Sequence, residues 1–191
     1  MPARREPQPQ ARWPAGTIFT AGHSKVSAET FLALLRTYEI ECVADIRTVP
    51  RSRHNPQFNA DALVSALSEN DIEYVPLQAL GGLRDPRKDS PNTGWRNEGF
   101  RGYADYMQTP SFAEGLERLI EISRNRRTAI MCAEAVPWRC HRSLVADALV
   151  VRGVLVIEII SQTTWHPHVL TSFAHVEGTD ITYPPTQPAF L

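Results

Sequence analysis

Apolar residues along this chain come in short runs that alternate with segments of helical spacing. Residues 17–21, 41–46 and 72–77 are mostly apolar runs bounded by polar residues, a pattern typical of buried strands. The segments between them carry apolar residues at helical spacing, with Ser27 and Asn59 at the expected N-cap positions. This part of the chain therefore predicts three strands separated by two helices.

A long stretch without periodicity follows, over residues 78–99. Connections longer than about 12–15 residues are uncommon in compact domains and are often functional, so this stretch predicts a lid or a binding loop. A short helix is expected over residues 103–107. A longer helix should then begin at a capping box formed by Ser111 and Glu114, which can each satisfy a free amide of the first turn.

Alternation of strand and helix returns in the last third of the chain. Residues 128–132 and 154–160 predict strands, and the segment between them predicts a helix that begins at residue 140 or 141 and is closed by Gly153. Such alternation predicts a single three-layer α/β domain, with a mostly parallel sheet of about five strands flanked by helices. Ligands of these sheets bind outside the carboxyl ends of the strands.

The two ends of the chain differ from this core. Residues 1–16 contain four prolines and three arginines and lack the apolar run of a secretory signal, so we expect a flexible arm. The α/β domain is expected over residues 17–175, followed by a C-terminal tail over residues 176–191.

Composition narrows the class of protein. Hydrophobic residues make up 42% and charged residues 21%, as in ordinary globular proteins. The net charge of −1 argues against bulk electrostatic binding of nucleic acid but leaves room for a local basic site. No run approaches the roughly 20 apolar residues of a membrane span. Three dispersed cysteines and no export signal indicate a cytoplasmic protein without a disulfide framework.

Polar side chains follow three of the predicted strands, at the edge where ligands are expected. They are His23 and Ser24 after the first strand, Asp45 and Arg47 after the second, and Cys132 and Glu134 after the fourth. Alternation along the strand places Asp45 and Arg47 on one face, as an ion pair or as ligand contacts. His23 either contacts a substrate or caps the following turn.

Glu134 is the candidate general acid or base. Partial burial on a loop after a buried strand would raise its pKa into a useful range. The alternative is an ion pair with Arg139 or Arg142. Asp45, His23 and Cys140 would assist Glu134 by orienting groups in the site.

Cys140, His141 and Arg142 stand at the start of a predicted helix. Free amides at a helix N-terminus favour an anion, and the Arg142 guanidinium could bind phosphate or carboxylate. The same helix end would lower the pKa of Cys140 and make it a nucleophile. Cys132 either joins this site or is a buried core residue.

A zinc site is a further alternative, because Cys132, Cys140, His141 and His23 all carry ligand atoms. Structural zinc sites usually contain tight pairs such as Cys-x-x-Cys, which this sequence lacks. We therefore expect neither a metal nor a cofactor.

Several separated motifs together resemble the domain-of-unknown-function 488 family. They are Gly22-His23-Ser24, Val43-Ala44-Asp45-Ile46-Arg47 with Pro50-Arg51-Ser52-Arg53 and Pro56-Gln57-Phe58, Leu80-Gly81-Gly82, Met131-Cys132-Ala133-Glu134, and Cys140-His141-Arg142. The resemblance covers roughly residues 17–160 in order and implies a compact α/β fold with no established reaction. Leu83 stands where the resemblance leads us to expect a basic residue.

A fainter likeness is to the rhodanese sulfurtransferases, in which an Asp-x-Arg motif follows an early strand and a catalytic cysteine opens a later loop. Here the loop after Cys132 contains Glu134, Pro137 and Trp138 but no glycine, so it does not readily aim successive amides at an anion.

These observations favour an enzyme, or an enzyme-derived domain, that binds a phosphate-bearing nucleotide or a nucleic-acid end. The residues expected to contact this ligand are Ser24, Arg47, Arg51, Arg53, Arg84, Cys132, His141 and Arg142. One alternative is a non-catalytic ligand-sensing or partner-binding domain. A second is a cysteine-dependent enzyme of the sulfurtransferase kind. The oligomeric state does not follow from the sequence.

Overall fold

The computed structural model describes residues 13–185. Most of the expected N-terminal arm and the last residues of the expected tail, 1–12 and 186–191, lie outside the described residues. The helices are α1 (Ala28–Thr37), α2 (Ala60–Ser68), α3 (Glu98–Tyr106), α4 (Pro110–Asn125) and α5 (Arg142–Val151). The strands are β1 (Ile18–Gly22), β2 (Cys42–Asp45), β3 (Glu73–Pro76), β4 (Thr128–Cys132), β5 (Val156–Ile159), β6 (Trp165–Pro167), β7 (His175–Glu177) and β8 (Asp180–Thr182).

Six strands form one sheet in the order β3-β2-β4-β1-β5-β6. The first five in this order are parallel, and β6 pairs antiparallel with β5 at the edge. The predicted mostly parallel α/β fold is confirmed. In the centre of the sheet Gly22 lies opposite Cys132 and Asp45 opposite Met131, so the polar residues after β1, β2 and β4 emerge side by side.

Alternation along the strands sends side chains to two separate cores. Phe19, Val43 and Ala129 face one side and pack with α1 and α2. Ile18, Ala44 and Ile130 face the other side and pack with α3, α4 and α5. Because the central strands β1, β2 and β4 are buried on both faces, they read as continuous apolar runs, as buried parallel strands do.

Two helix starts differ from the expected ones. The helix predicted from the capping box begins instead at Pro110, with Thr109 as N-cap, whose hydroxyl accepts from the amide of Phe112. Proline is favoured in the first turn because its missing N–H would have had no partner there. Asn59 stands at the N-cap of α2, but its side chain accepts from the amide of Ser52 and braces the preceding loop.

The long loop after β3 is ordered around a buried carboxylate. Asp105 accepts from the amide of Arg87, the hydroxyl of Ser90 and the amide side chain of Asn92. Helix α3 begins at Glu98, ahead of the predicted residue 103. The hydrogen bonds to Asp105 therefore hold the loop against α3.

The chain after β6 also contributes to the core. Strands β7 and β8 form a hairpin, and Tyr183 beyond it is fully buried. The segment for which we expected a C-terminal tail is therefore packed structure as far as Tyr183. None of the helices in the described part of the chain is long and apolar enough to cross a membrane.

Candidate functional site

The loops after β1, β2 and β4 meet at the carboxyl edge of the sheet. The amides of His23 and Ser24 donate to the carbonyls of Cys132 and Ala133, at 3.1 and 2.8 Å. The amide of Ile46 donates to the carbonyl of Met131 at 3.1 Å. Because the backbone extends the sheet pairing into these loops, side chains far apart in sequence are held as neighbours.

Asp45 and Arg47 form an ion pair within the fold. Arg47 Nε and Nη2 donate to Asp45 at 2.9 and 2.6 Å, and Nη1 donates to the carbonyl of Phe58 at 2.8 Å. The hydroxyl of Tyr74 donates to Asp45 Oδ2, the oxygen that also accepts from Arg47 Nη2. Burial opposes the charge of Arg47, but Asp45 outweighs it and raises the pKa of Arg47. Each nitrogen of this guanidinium makes an internal contact, so Arg47 holds the residues of the site together, and its expected contact with an anion stays a prediction.

His23 is buried beside this pair. Its ring stacks on Phe58 with centroids 4.0 Å apart, and Nδ1 donates to the carbonyl of Ser24 at 2.9 Å. Burial lowers the pKa of His23, and Arg47 beside it acts in the same direction. The neutral ring therefore presents its Nε2 lone pair to Arg47 Nη1 at 3.4 Å. Ser24 turns the chain with a positive φ of 48°.

Arg142 is the most enclosed charged residue of the site, with 0% exposure. Nη1 donates to the carbonyls of Ala21 and Glu134, at 2.9 and 3.0 Å, and Nη2 donates to that of Ala135 at 3.1 Å. Among the described residues Nε has no partner. Both hydrogens of Nη1 are therefore used within the fold, where Arg142 links the loop after β4 to the end of β1, while the expected anion contact through the rest of the guanidinium stays a prediction.

Gly22 permits this attachment. A Cβ at this position would lie 1.8 Å from the carbonyl oxygen of Glu134 and 2.7 Å from Arg142 Nη1. Only a residue without a side chain lets the two loops approach so closely.

Cys132, Cys140 and His141 form the most compact group of reactive side chains. Their ligand atoms, the two sulfurs and one ring nitrogen, all lie within 4.8 Å of one another. His141 Nδ1 lies 3.7 Å from Cys140 Sγ, and Nε2 lies 3.2 Å from the carbonyl oxygen of Ile46. Gly82 from the long loop covers the ring, since a Cβ there would lie 2.8 Å from Nδ1.

The two thiols are unequal. A hydrogen bond from Cys140 and the nearby ring of His141 hold the pKa of Cys132 well below the usual range of a thiol. The same hydrogen bond, with burial, raises the pKa of Cys140. Cys140 is 4% exposed, so the expectation of an accessible, acidified Cys140 is wrong. Within this pair the surroundings therefore favour ionisation of Cys132 over that of Cys140.

The start of α5 is less open to an anion than we expected. The amide of Arg142 donates to Cys140 Sγ at 3.5 Å, and the amide of Ser143 donates to the carbonyl of Cys140 at 3.0 Å. Neither amide is free for a ligand, because each is used within the turn that opens the helix.

The remaining predicted residues lie around this buried group. Glu134 is exposed, which contradicts the expected partial burial of its side chain. Arg51 and Arg53 are exposed on the loop after β2. Arg84 lies over the ring of Tyr106, with its guanidinium carbon 3.7 Å from the centroid, and donates to the carbonyl of Gly81.

A cavity of about 270 Å³ lies at the opposite edge of the sheet, away from this site. Its lining includes Trp13, Glu41 and Arg124, and it contains none of the predicted site residues. The candidate site is thus a set of buried side chains under loops and not the wall of this cavity.

A second buried cluster was missed by sequence reasoning. Asp147, fully buried on α5, accepts from His168 and from Tyr183, and His168 also contacts Glu158. A carboxylate inside the apolar run of α5 was the only available signal. Its partners come from distant segments that no spacing rule connects.

Comparison with known proteins gives a family but no relative of known activity. The family model described as "Domain of unknown function DUF488" matches residues 27–149. This span includes Cys132, Cys140, His141 and Arg142, whereas His23 and Ser24 precede it. Neither the curated proteins nor the solved structures contain a match to the chain.

Proposed function

This chain belongs to the DUF488 family, as its motifs predict, and we propose that it is an enzyme that binds a phosphate-bearing ligand at the carboxyl edge of its sheet and processes it there. The ligand is a nucleotide or a nucleic-acid end. The proposal rests on the position of a basic loop beside the group of Cys132, Cys140 and His141.

The basic loop is residues 46–60, which contain no acidic residue. Arg51 and Arg53 are exposed on it and take part in no ion pair among the described residues. Ala60 donates to the carbonyl of Pro50, and Asn59 accepts from Ser52, so the loop is braced from within. Guanidinium groups on a braced loop lose little additional entropy when they bind an anion.

An aromatic side chain on the neighbouring loop supports the nucleotide class of ligand. Trp138 follows β4 and is 64% exposed. Exposed indole faces stack on bases, and arginines beside them contact the phosphate groups.

The catalytic residue would lie at the start of the loop after β4, which also carries Trp138. Glu134 stands two positions after Cys132 with its carboxylate in solvent, where it accepts or returns a proton without breaking an internal contact. His23, Asp45, Arg47 and Arg142 then position the backbone around the reacting groups. The free thiols of all three cysteines support the expected reducing, cytoplasmic location.

Binding is tested by calorimetry with inorganic phosphate, nucleoside monophosphates and a terminally phosphorylated oligonucleotide. Replacing both Arg51 and Arg53 with Ala should weaken the tightest of these about tenfold, equivalent to about 1.4 kcal/mol. Arg124→Ala is the matched control, since Arg124 is an exposed arginine at the opposite edge. Equal losses in both proteins, or no binding of any probe, would contradict the proposal.

Turnover separates the enzyme from a non-catalytic binding domain. Glu134→Gln should bind the same probes and lose phosphate release from them, whereas Glu114→Gln, at an exposed position of α4, should retain both. Phosphate release that persists in Glu134→Gln would remove Glu134 from the chemistry.

A second candidate function, covalent catalysis by Cys132, is favoured by the lowered pKa of this thiol. The thiolate sulfur would bond to an electrophilic atom of the substrate while the leaving group departs with its electron pair. Rapid labelling of Cys132 by iodoacetamide at neutral pH, with Cys42 resisting, would support this candidate.

A further inference from the structure

The thiols of Cys132 and Cys140 and the imidazole of His141 meet at the carboxyl edge of the sheet. Cys132 and Cys140 are 7% and 4% exposed, so these sulfurs are largely withdrawn from water. They come from the two ends of one loop, and His141 is the N-cap residue of α5. The sequence offered these residues as a zinc alternative, and the absence of a tight Cys-x-x-Cys pair counted against it, because the loop brings the two cysteines together only when folded.

The separations suit a tetrahedral metal ion. Zinc binds thiolate sulfur at about 2.3 Å and imidazole nitrogen at about 2.0–2.1 Å, so tetrahedral ligand atoms lie about 3.5–3.8 Å apart. Cys140 Sγ and His141 Nδ1 are 3.7 Å apart. The three ligand atoms all lie within 4.8 Å of one another, so only a small contraction is needed to close the site.

The imidazole is already fixed in the tautomer that a metal requires. A carbonyl oxygen can only accept a hydrogen bond, so the contact of His141 Nε2 with the Ile46 carbonyl at 3.2 Å places the proton on Nε2. The lone pair is then on Nδ1, the nitrogen nearest to Cys140 Sγ. Metal-bound histidines commonly donate their second N–H to a carbonyl or carboxylate in this way.

Of the groups around the two sulfurs, Arg142 favours the thiolate form at both. Arg142 is fully buried, and among the described residues it pairs with no carboxylate. Its amide points at Cys140 Sγ from 3.5 Å. A buried cation beside two thiols stabilises their ionised form, which is the form that binds metal.

From these contacts we propose that Cys132, Cys140 and His141 bind one zinc ion. Three protein ligands leave a coordination position for a water or a substrate oxygen, the arrangement typical of catalytic zinc. The metal deepens the proposed function, on whose site it rests, because a zinc-bound water beside exposed Glu134 would supply the nucleophile for hydrolysis. It also excludes attack by Cys132, since a ligating sulfur is not free to bond to a substrate.

The first experiment uses the full chain. Protein stripped of metal and titrated with Zn²⁺ should bind one equivalent, measured by plasma mass spectrometry after dialysis. Titration with Co²⁺ should give the near-ultraviolet absorption of thiolate-to-cobalt charge transfer and the strong visible bands of tetrahedral cobalt. Less than one equivalent of zinc, or a cobalt spectrum without thiolate absorption, would overturn the proposal.

Variants assign the ligands. Cys132→Ser, Cys140→Ser and His141→Ala should each weaken zinc binding by about a hundredfold or more, beyond the range known for residues that only support a ligand. Cys42→Ala, which removes the thiol outside the group, is the matched control and should bind zinc as the wild type does. Equal loss in the Cys42 variant would show that folding and not ligation is being measured.

A third experiment measures how zinc protects the thiols of the wild-type protein from alkylation. It needs no variant, so a variant that fails to fold cannot affect it. Zinc should slow alkylation of Cys132 and Cys140 at least tenfold, with the labelled sites read by peptide mass spectrometry. Unchanged labelling in the presence of zinc would contradict the metal site and favour the thiol enzyme. Neither measurement needs a phosphate ligand, so a failure here leaves the arginine test of the proposed function unaffected, and the reverse also holds.

Discussion

Helix α5 carries two buried groups of opposite charge, and the fold surrounds them differently. Arg142 and Asp147 are both 0% exposed. Asp147 accepts from His168 Nε2 at 2.8 Å, from the Tyr183 hydroxyl at 2.8 Å and from the amide of Thr171 at 3.0 Å. Arg142 donates only to backbone carbonyls, and its Nε has no partner among the described residues.

The difference in their partners indicates that Asp147 belongs to a structural cluster and Arg142 to a candidate functional site. The Asp147 cluster is complete, since His168 supplies the counter-charge and each carboxylate oxygen has a donor. Within residues 13–185, the acidic groups that the structure places against Arg142 are the thiols of Cys132 and Cys140. A buried charge without a fixed counter-ion gains most from a metal–thiolate group or a bound anion. The incomplete cluster is therefore the one to which we assign function.

The largest expected effect is that of Arg142→Ala. Removal of the guanidinium leaves the carbonyls of Ala21, Glu134 and Ala135 without donors and opens a cavity. We expect the free energy of unfolding to fall by about 4 kcal/mol. Urea denaturation measures this loss, and Arg152→Ala, in which a half-buried arginine loses its contacts with the carbonyls of Ala148 and Thr179, should cost less than about 1 kcal/mol. If both variants lost a similar free energy of unfolding, the contacts of Arg142 would contribute no more than those of an arginine near the surface.

The sequence indicated which side chains would converge at the carboxyl edge, but not how each of them would be oriented. His23, Asp45 and Cys132 were recognisable because each directly follows an apolar run that becomes a central strand. The orientation of Arg142 was not recognisable, because an arginine at a helix start can point to solvent or inward. The inward position depends on the close approach of Gly22 to the Glu134 carbonyl, which is a contact between distant segments.

The sequence also did not predict which individual side chains of the site are buried. Sequence reasoning expected Glu134 partly buried and Cys140 accessible, and the structure shows the reverse. Both residues lie on one loop, whose direction is set by Arg142 and by the turn Pro137–Arg139. Periodicity assigns faces within a helix or a strand but carries no information about an irregular loop.

The next effect in size is that of Gly22→Ala, which tests the same attachment from the side of β1. The new Cβ would lie 1.8 Å from a backbone oxygen, so the two loops must separate. We expect a loss of about 3 kcal/mol in urea denaturation, at the upper end for overpacking, together with faster alkylation of Cys132. Gly99→Ala, whose Cβ would meet only the Asn97 side chain at 3.2 Å, should stay within about 0.5 kcal/mol of the wild type. A stable Gly22→Ala protein with unchanged labelling would disprove the tight contact.

The Asp147 cluster should make stability depend on pH. Burial alone would lower the pKa of His168, but hydrogen bonds to Asp147 and Glu158 outweigh it and raise the pKa to about 9. The folded state therefore holds a proton that the unfolded state releases near pH 6.5. The stabilisation is complete below about pH 6.5 and is lost as the pH rises toward about 9, with an upper limit of about 3 kcal/mol.

Urea denaturation across this pH range measures the slope. His168→Gln should remove it, whereas His54→Gln, at an exposed position, should leave it unchanged. A wild-type protein equally stable at both ends of the range would show that His168 is neutral in the fold.

The smallest expected effect compares two buried hydroxyls that differ only in their acceptors. Tyr183 donates to the Asp147 carboxylate at 2.8 Å, and Tyr103 donates to the carbonyl of Leu80 at 2.7 Å. Hydrogen bonds to charged groups contribute about 1.5–3 kcal/mol, and those between neutral groups about 0.5–1.5 kcal/mol. Tyr183→Phe should therefore cost about 2 kcal/mol and Tyr103→Phe about 1 kcal/mol, measured as unfolding free energies in urea near neutral pH. Both tyrosines are almost fully buried, so loss of packing does not distinguish the two variants. If Tyr103→Phe proved the more costly, the hydrogen bond from Tyr183 to Asp147 would not be the stronger of the two, and the contrast between the Asp147 cluster and the group around Arg142 on α5 would fail.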